Sequence, residues 1–370
     1  MSVSVSVSAE ACKRGRTRHL SAFGMLNRLL VAVLASCLVG AAMAPATSYG
    51  ATSPGRTESP KTTRRVFTVA FVAGIIPESY FNSMLDGLEF EAKKLGDIHL
   101  IAPAVPTYSP ETQVPILDTL LAKKPAALIL APTDVHALDP TVVKYNHAGV
   151  PVFLTDAPTS NLGVVKSLVE SNNYLGGEMA AAFIGKRLHG KGTVGVINFV
   201  PGSGSGMPRQ EGFYAEMKKR FPGIHVLPVQ YDGDHVSKGA EEASSELLSH
   251  PALKAFFGVN DNAAEGIAAG VAEQHAQGKV IVVGYDADPA EVAYLQEGKL
   301  TALVAQHPYE EGVIALGYVH DWLTGSRSKV VHFQQLGLSV VTRGTLGLAR
   351  KDHILYQGKI DPCSCVVSGV

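Results

Sequence analysis

Cysteine is absent from the long middle of this 370-residue chain. The four cysteines stand near the two ends, as Cys12, Cys37, Cys363 and Cys365. Cysteine spacing is the usual sequence sign of a disulfide framework or a zinc site, and the central part of the chain carries neither sign. Cys363 and Cys365 are too close in sequence to pair easily with each other. We therefore expect the folded core to depend on packing rather than on cross-links.

An excess of charge of either sign is also missing. Lys and Arg number 32 and Asp and Glu number 33, which leaves a formal net charge of −1. A nucleic-acid or membrane-surface partner normally requires a strongly basic face, so this balance argues against both. Hydrophobic residues make up 46% and charged residues 18%, which is typical of a globular protein, and the length suits two domains.

Sequence motifs of catalysis are scarce as well. The segment GSGSG at 202–206 lacks the Lys-Ser/Thr of a phosphate-binding loop and the spacing of a dinucleotide loop, and it is not a G-x-S-x-G nucleophile turn. The 13 histidines are scattered without an H-E-x-x-H pair, and no Ser/His/Asp set is evident. We predict a protein that is not an enzyme and needs no cofactor or metal, with an enzyme kept as the alternative.

The amino-terminal region has an apolar run, but a short one. Residues 29–44, LLVAVLASCLVGAAMA, are 16 apolar or small residues, whereas a membrane-spanning helix needs about 20. A basic stretch, KRGRTRH at 13–19, precedes the run. A basic region, a short apolar region and then small residues are typical of a secretory signal. We predict a signal peptide over 1–46, an exported protein in the periplasm or cell envelope, and a folded part that begins near Val66.

Two processing sites compete in this region. The segment APA at 44–46 fits the small-x-small rule for cleavage. LASC at 34–37 resembles a bacterial lipobox, which would anchor the protein through a lipid on Cys37. The apolar run continues past Cys37, which favours simple cleavage. Residues 47–65 are rich in Ser, Thr, Pro and Arg and are predicted to be a flexible tether. The alternative is a single membrane anchor with the same outward-facing domain.

The central part of the chain carries a weak internal repeat. Four pairs of segments match in the same order, and their offset grows from 125 residues (86 to 211) to 135 residues (168 to 303). A repeat of this kind indicates two copies of one structural unit with small insertions. The pairs are DGLEFEAKKLGDIHL (86–100) with EGFYAEMKKRFPGIHV (211–226), LLAKKPAALILAPTD (120–134) with LLSHPALKAFFGVND (247–261), Asp156-Ala157 with Asp286-Ala287, and LVESNNYLGG (168–177) with LVAQHPYEEG (303–312).

Each copy alternates apolar strand segments with helical segments. The strand segments are VFTVAFVAG, AALILAP, VPVFLTD and VVKSLVES in the first copy, and TVGVINFV, IHVLPVQY, LKAFFGVN, VIVVGYD and LTALVAQ in the second. The helical segment after the first strand repeats apolar residues on one face, and Gly96 can end it. Continuous apolar strands that alternate with helices form parallel sheets covered on both faces. The predicted fold class is α/β, with two similar doubly wound parallel-sheet lobes.

Asp156 and Asp286 stand at equivalent ends of two predicted strands, one in each lobe. Ligands of doubly wound sheets bind beyond the carboxyl ends of the strands. If the lobes face each other, both carboxylates point into one cleft. The alternative is that each aspartate only caps the following helix, because Asp is a favoured N-cap residue. The matched pair favours the ligand role.

Other polar and aromatic residues follow the same strand ends. They suit a neutral, polyhydroxylated ligand, because a carboxylate accepts from hydroxyl groups, an amide both donates and accepts, and an arginine fork binds adjacent oxygens. An aromatic face can stack on the C–H face of a sugar ring. Each residue also has an ordinary structural interpretation, as helix-face core, surface arginine, turn residue or exposed strand end. These candidates are Glu78, Tyr80, Phe81, Arg209, Asn260 and Gln306.

The order and spacing of five motifs resemble the periplasmic sugar-binding proteins of the ribose-binding type, the substrate receptors of ABC importers. The resemblance covers about residues 66–345 and rests on YFNSMLDGLEFEA, PRQEGF, GVNDNAAEGI, VVGYDADP and LVAQHP. It implies the type I periplasmic binding protein fold, whose lobes are joined by a three-crossing hinge. It also implies a small sugar or polyol as ligand and the membrane subunits of an ABC transporter as partners. We expect the protein to be a monomer.

The resemblance also assigns ligand contacts residue by residue. The aromatic pair that sandwiches the sugar in that family corresponds to Tyr80 and Phe81. Two positions depart from the ribose-binding pattern, because Glu78 stands where those proteins have asparagine and Ala157 where they have arginine. The departures put ribose itself in doubt as the ligand. The remaining polar contacts of the family correspond to Asp156, Arg209, Asn260, Asp286 and Gln306.

The three crossings of the hinge are expected near 170–172, 306–308 and 333–336. Residues 351–370 form a tail that extends beyond the family's usual end. The crossings divide the chain into an amino-terminal lobe of residues 66–170 and 308–334 and a carboxyl-terminal lobe of residues 171–307 and 335–350.

Two other functions stay open. LacI-type repressors share the two-lobed core and carry a further segment ahead of it, but that segment is a helix-turn-helix headpiece. Here the same space holds a basic stretch, an apolar run and a Ser/Pro-rich tether. A receptor that presents its ligand to a membrane sensor, for signalling or chemotaxis, would differ from a transport receptor only in its partner.

Overall fold

The computed structural model describes residues 65–351 and 354–356. The predicted signal peptide, residues 47–64 of the tether and all four cysteines lie outside this part of the chain. Within the described part, no helix combines enough length with enough apolar character to span a bilayer.

The described residues form thirteen strands and ten α-helices. The strands are β1 (Phe67–Val72), β2 (Ile98–Ile101), β3 (Ala127–Leu130), β4 (Val152–Thr155), β5 (Ser167–Ser171), β6 (Gly192–Asn198), β7 (Ile224–Val226), β8 (Gln230–Tyr231), β9 (Leu253–Gly258), β10 (Ile281–Tyr285), β11 (Ala302–Ala305), β12 (Phe333–Leu336) and β13 (Ser339–Val341). The helices are α1 (Ser79–Leu95), α2 (Pro110–Ala122), α3 (Asp139–His147), α4 (Asn173–Arg187), α5 (Gly206–Arg220), α6 (Val236–Ser249), α7 (Asp261–Glu273), α8 (Pro289–Glu297), α9 (Pro308–Leu323) and α10 (Leu346–Lys351).

The strands form two sheets with the same order. The first sheet runs β12-β5-β4-β3-β1-β2, and the second runs β13-β11-β10-β9-β6-β7 with β8 also paired to β6. Replacing β5, β4, β3, β1 and β2 by their counterparts β11, β10, β9, β6 and β7 converts the first order into the second, and the edge strands β12 and β13 lie outside the repeat. The two lobes are therefore copies of one α/β topology, and the predicted fold class is confirmed.

One pair of strands departs from the predicted all-parallel arrangement. β13 pairs antiparallel with β11, with Ser339 opposite Ala305 and Val341 opposite Leu303. β13 enters the second sheet directly from the first, at the carboxyl end of β11. It must therefore run backwards along its neighbour, because a parallel partner requires a crossover of a dozen or more residues.

The central strands are buried on both faces. Every residue of β3, β4, β5 and β11 is buried, as expected for continuous apolar runs covered by helices. The predicted strand IHVLPVQY is instead split into β7 and β8 around Pro228. Proline has no N–H to donate to a strand ladder, which explains the break.

The helix α1 ends where the sequence indicates, at Gly96. Glu78 is its N-cap, and Gly96 is its C-cap with a left-handed φ of 72° and its N–H bonded to the carbonyl of Ala92. Met84 and Leu88 on its inner face are fully buried. The cap residue Glu78 brings the first turn of α1 to the carboxyl end of β1.

Reciprocal glycines allow two helices to cross closely in each lobe. In the first lobe, a Cβ atom added to Gly87 of α1 would collide with the carbonyl of Tyr309 in α9, and one added to Gly312 of α9 would collide with backbone atoms of α1. In the second lobe, Gly212 and Gly177 have the same relationship between α5 and α4. These glycines let α1 pack closely on α9 in the first lobe and α5 pack closely on α4 in the second lobe.

The described chain passes between the two sheets three times. It leaves β5 for α4, which packs on α5 of the second lobe, and it leaves β11 for α9, which packs on α1 of the first lobe. The third passage is at 337–338, between β12 and β13. The range 333–336 expected for it is instead strand β12, which pairs with β5 up to Leu336.

Candidate ligand-binding site

The carboxyl ends of both sheets border one cavity of about 550 Å³. This volume lies in the range of small-molecule sites, roughly 300–1,000 Å³. Its lining comes from the segments that follow β1, β2, β3, β4, β6, β8, β9, β10 and β11. All eight candidate residues named from the sequence line it: Glu78, Tyr80, Phe81, Asp156, Arg209, Asn260, Asp286 and Gln306.

The two matched aspartates have the same backbone geometry. Asp156 follows β4 and Asp286 follows β10, with φ of 67° and 94°, in the left-handed region that Asp tolerates better than most residues. The N–H of Asp156 bonds to the carbonyl of Val169 at 3.1 Å, and the N–H of Asp286 to that of Val304 at 2.9 Å. The carbonyl acceptor lies on the neighbouring strand in both lobes. The repeat therefore extends to the site itself.

Neither matched aspartate caps a helix. The N-cap of α8 is Asp288, whose carboxylate accepts from the N–H of Glu291 at 2.6 Å. The short 3-10 turn that follows Asp156 begins after Asn161 and has no side-chain cap bond. The side chains of Asp156 and Asp286 are thus not used as helix caps, and both line the cavity.

Asp286 is the centre of a hydrogen-bonded network. Its Oδ1 accepts from Nε2 of Gln306 at 2.6 Å and from the hydroxyl of Tyr356 at 2.8 Å. Its Oδ2 lies 3.8 Å from Nη1 of Arg209. The network unites three candidate residues, Asp286, Gln306 and Arg209, with one residue, Tyr356, that the sequence did not indicate.

Arg209 is held rigidly in the first turns of α5. The residue is only 3% exposed. Its Nε donates to Oδ1 of Asn173 at 2.8 Å, its Nη1 donates to the carbonyl of Val259 at 3.0 Å, and its guanidinium lies 3.8 Å from the ring centre of Tyr285. A cation at a helix N-terminus is unfavourable, and the nearby carboxylate of Asp286 offsets that cost. The surface-arginine interpretation is therefore wrong.

Glu78 and Asn260 cap helices in addition to lining the cavity. The carboxylate of Glu78 accepts from the N–H groups of Tyr80 and Phe81, at 2.7 and 3.2 Å, and so caps α1. Oδ1 of Asn260 caps α7, and its Nδ2 donates to Oδ1 of Asp234 at 2.8 Å. Both side chains are positioned before any ligand binds.

The aromatic pair presents two perpendicular rings. The centres of Tyr80 and Phe81 are 5.0 Å apart, with an angle of 89° between the ring planes. This edge-to-face arrangement offers one face and one edge, whereas the sandwich implied by the family resemblance needs two roughly parallel faces. Tyr356 adds a third ring, 5.7 Å from that of Tyr80.

Carboxyl groups outnumber cationic groups in the described wall of the cavity. Desolvation raises the pKa of Glu78 to about 7, against the two backbone hydrogen bonds that lower it. Desolvation raises the pKa of Asp156 to about 6, although the guanidinium of Arg209 acts in the opposite direction. Desolvation and then the neighbouring Asp286 raise the pKa of Asp261 well above its usual range. These shifts show a site that disfavours further negative charge. The carboxyl residues are Glu78, Asp134, Asp156, Asp234, Asp261 and Asp286.

Several of the polar lining residues were not named from the sequence, among them Tyr108, Asp234, Asp261 and Tyr356. Asp261 follows Asn260 directly, so the strand-end rule could have found it. Asp234 lies in the turn after β8, where an Asp-Gly-Asp segment is a recognisable loop signal. Tyr108 and Tyr356 carry no local signal, since one lies in an irregular segment and the other in the region treated as a tail.

Comparison with known proteins agrees with this architecture. Residues 69–327 match the family model described as a periplasmic binding protein domain. The ribose import binding protein of Bacillus subtilis is 32% identical over 266 residues, which cover 71% of this chain and 84% of that protein. The ribose import binding protein of Escherichia coli is 28% identical over 274 residues, covering 74% and 90%.

A solved structure is similar over nearly its whole length. An ABC transporter solute-binding protein from Agrobacterium vitis, bound with alpha-D-tagatopyranose, has a TM-score of 0.74 and 30% identity, and it covers 79% of this chain and 99% of its own. The family model alone spans well over half of the chain. The chain therefore belongs to the periplasmic binding protein family, in the branch of sugar-binding receptors of the ribose-binding type that serve ABC importers.

Proposed function

We propose that this protein is an exported, non-enzymatic receptor that closes its two lobes around a small neutral sugar or polyol and delivers it to the membrane subunits of an ABC importer. The observation that carries the proposal is that Asp156 of the first lobe and Asp286 of the second line one cavity. A ligand that contacts both carboxylates contacts both lobes, and it stabilises the closed arrangement relative to an open one.

The cavity residues include a hydrogen-bond acceptor that lacks a donor among the described residues, and it supports a ligand that carries hydroxyl groups. Oε1 of Gln306 is buried and has no hydrogen-bond partner among the described residues, although its Nε2 is bonded to Asp286. A buried acceptor without a partner costs roughly 1–3 kcal/mol. Separate sugar hydroxyls can donate to this oxygen and to the carboxylate of Asp156, and each hydroxyl can accept from another group at the same time.

The charge of the cavity supports a neutral ligand. The described wall has six carboxyl residues and one arginine, and Arg209 is already engaged by Asn173 and Val259. A phosphate or carboxylate on the ligand would lie beside acidic groups in a poorly solvated site, where repulsion is weakly screened. An amino-bearing sugar is compatible with the same charges.

The identity of the sugar follows only in part from the relatives. The named ligands of those proteins are ribose and tagatose, which supports a neutral monosaccharide as the ligand of this protein. Ala157 is buried in the cavity wall where the ribose-binding pattern has arginine. The missing guanidinium alters the contacts beside Asp156, so we propose a monosaccharide or polyol other than ribose.

Export and a monomeric state belong to the same proposal. The relatives are import binding proteins, and the basic stretch, short apolar run and tether of residues 1–65 suit secretion. Cleavage near 44–46 is favoured over a lipid anchor on Cys37. A soluble receptor that meets its importer through both lobes requires no second copy of itself.

The test is a thermal-shift and calorimetry screen of the full-chain protein against neutral pentoses, hexoses and polyols. A ligand at 100 times its Kd adds about 2.7 kcal/mol of stability, which is a shift of several degrees. Chromatography of the incubated ligand should return it unchanged. Failure of every neutral sugar and polyol to bind would contradict the receptor proposal, and turnover of a bound ligand would contradict its non-enzymatic part.

A further inference from the structure

Tyr356 brings the carboxyl-terminal region of the described chain into the cavity wall. The residue is 5% exposed, and the neighbouring Ile354 and Leu355 pack against the same core. Its backbone N–H bonds to the carbonyl of Ala287 at 3.0 Å, and the N–H of Ile354 bonds to that of Ala349. Residues 354–356, which the sequence analysis assigned to a tail, thus pack against the core, and Tyr356 lies at the end of β10.

The hydroxyl of Tyr356 is fully engaged by the second lobe. It donates to Oδ1 of Asp286 at 2.8 Å and accepts from the N–H of Gln306 at 3.3 Å. Since Nε2 of Gln306 also donates to Oδ1 of Asp286, at 2.6 Å, this single oxygen receives two protein donors. A carboxylate oxygen has two lone-pair sites, so Oδ1 has none left for a ligand.

Only the other oxygen of Asp286 remains available to a ligand. Oδ2 lies 3.8 Å from Nη1 of Arg209, too far for a hydrogen bond. An unobstructed carboxylate can accept from two neighbouring hydroxyls of a sugar, one on each oxygen. With Oδ1 occupied, Asp286 cannot accept from two neighbouring hydroxyls in this two-oxygen arrangement, and a ligand can reach it only through Oδ2.

The ring of Tyr356 is fixed as firmly as its hydroxyl. It packs edge-to-face on Tyr80 of the first lobe, with 5.7 Å between the ring centres. The backbone bond to Ala287 and the burial of the ring oppose its leaving the site when a ligand enters. Tyr356 therefore belongs to the wall that the ligand meets.

We propose that Tyr356 is a specificity-determining residue of the cleft. By occupying Oδ1 of Asp286, it selects against sugars that would bind this carboxylate with two neighbouring hydroxyls, one on each oxygen. The inference rests on the proposed sugar-binding function and adds a determinant that lies outside the motifs shared with the family.

The experiment measures sugar affinities by calorimetry for the full-chain wild type, Tyr356→Phe and a control. The panel contains a neutral sugar that the wild type binds and each of its monodeoxy derivatives. Tyr356→Phe keeps the ring and removes the hydroxyl. Tyr214→Phe is the matched control, because it loses a hydroxyl bonded to the carbonyl of Leu227 at 2.7 Å and lies outside the cavity wall.

In Tyr356→Phe, Oδ1 is free to accept a second sugar hydroxyl. For at least one monodeoxy derivative, the ratio of parent to derivative affinity is expected to rise about tenfold over the wild type, and Tyr214→Phe is expected to leave every ratio unchanged. Unchanged ratios in Tyr356→Phe would overturn the inference. A uniform gain for all sugars would also overturn it, because it would show that Tyr356 competes with the ligand. If no neutral sugar binds the wild type, the proposed function is wrong and this inference is wrong with it. If sugars bind but the ratios do not change in Tyr356→Phe, only this inference is wrong.

Discussion

The hydroxyl of Tyr80 donates a hydrogen bond of 3.1 Å to Glu311 and so joins the cavity to a passage between the lobes. Tyr80 lies in the first turn of α1, at the cavity, whereas Glu311 lies in the first turn of α9, just after the second passage. The other carboxylate oxygen of Glu311 accepts from Oγ of Ser171, the last residue before the first passage, at 2.7 Å. Burial, and then the charge of Asp156, raise the pKa of Glu311 to about 8.

This buried carboxyl should make stability depend on pH. Because the pKa of Glu311 is higher in the folded than in the unfolded protein, its contribution is fully present below about pH 4.5 and is lost as the pH rises through about 8. Glu311→Gln keeps an acceptor for Tyr80 and has no proton to lose. We expect the unfolding free energy of this variant to fall less than that of the wild type between pH 5 and pH 8.

Urea unfolding followed by circular dichroism at several pH values measures this difference. Glu310→Gln is the matched control, because Glu310 is the exposed neighbour on the same helix. Its pH dependence should follow the wild type. Equal pH dependence of the wild type and Glu311→Gln would show that Glu311 is not the group responsible.

Mutation can distinguish the proposed ligand-binding role of Asp156 and Asp286 from the helix-capping role of Asp288. Asp156→Ala and Asp286→Ala should each weaken ligand binding by about 1–3 kcal/mol, because ligand hydroxyls lose a buried partner. Asp288→Ala should cost about 1 kcal/mol of stability through loss of the α8 cap, and it should leave affinity unchanged. Calorimetry and urea unfolding measure the two effects. Wild-type affinity in either of the first two variants would remove that aspartate from the site.

The acidic cavity should reject anionic ligands. One sugar is compared in neutral, phosphorylated, acid and amino forms by calorimetry. We expect the phosphate and acid forms to bind at least about a hundredfold more weakly than the neutral form, because burial disfavours negative charge there and repulsion from Asp156 and Asp286 is poorly screened. Tight binding of the phosphate form, with no measurable binding of the neutral form, would contradict the proposal of a neutral ligand.

The close crossing of α1 and α9 should tolerate no side chain at Gly87. Gly87→Ala forces a Cβ atom into the carbonyl of Tyr309, and overpacking of this kind costs about 1–3 kcal/mol. Gly317→Ala, on the same helix pair, has open space around the added atom and should raise stability by about 0.5–1 kcal/mol through helix propensity. Urea unfolding measures both. A Gly87→Ala protein as stable as the wild type would contradict the crossing geometry.

The amino-terminal region should direct export. A fusion of residues 1–64 to a reporter should carry the reporter across the membrane, and Cys37→Ser should leave that export intact if cleavage near 44–46 operates. Fractionation and mass spectrometry of the processed fusion measure location and cleavage site. Retention of the wild-type fusion in the cytoplasm would contradict the proposed location, and loss of processing in Cys37→Ser would favour the lipid anchor.

Much of the site could be predicted because its signals are local. Asp156 and Asp286 each follow an apolar strand, and such strands end at the ligand side of a doubly wound sheet. The repeat then indicated that the two positions are equivalent, and their shared backbone geometry agrees. The antiparallel strand β13 was not predictable in this way, because a strand of only three residues carries no sequence pattern that distinguishes parallel from antiparallel pairing.

The two α/β lobes and the positions of the strand-end polar residues follow from the amino-acid sequence, because they depend on periodicity and on neighbours along the chain. The order of strands in each sheet, the bonds from Arg209 to Asn173 and Val259, and the bond from Tyr356 to Asp286 are seen only in the folded structure. These partners are 36, 50 and 70 residues apart in the chain. No local pattern encodes such contacts, because they form only when packing of the whole chain brings distant segments to the same cavity.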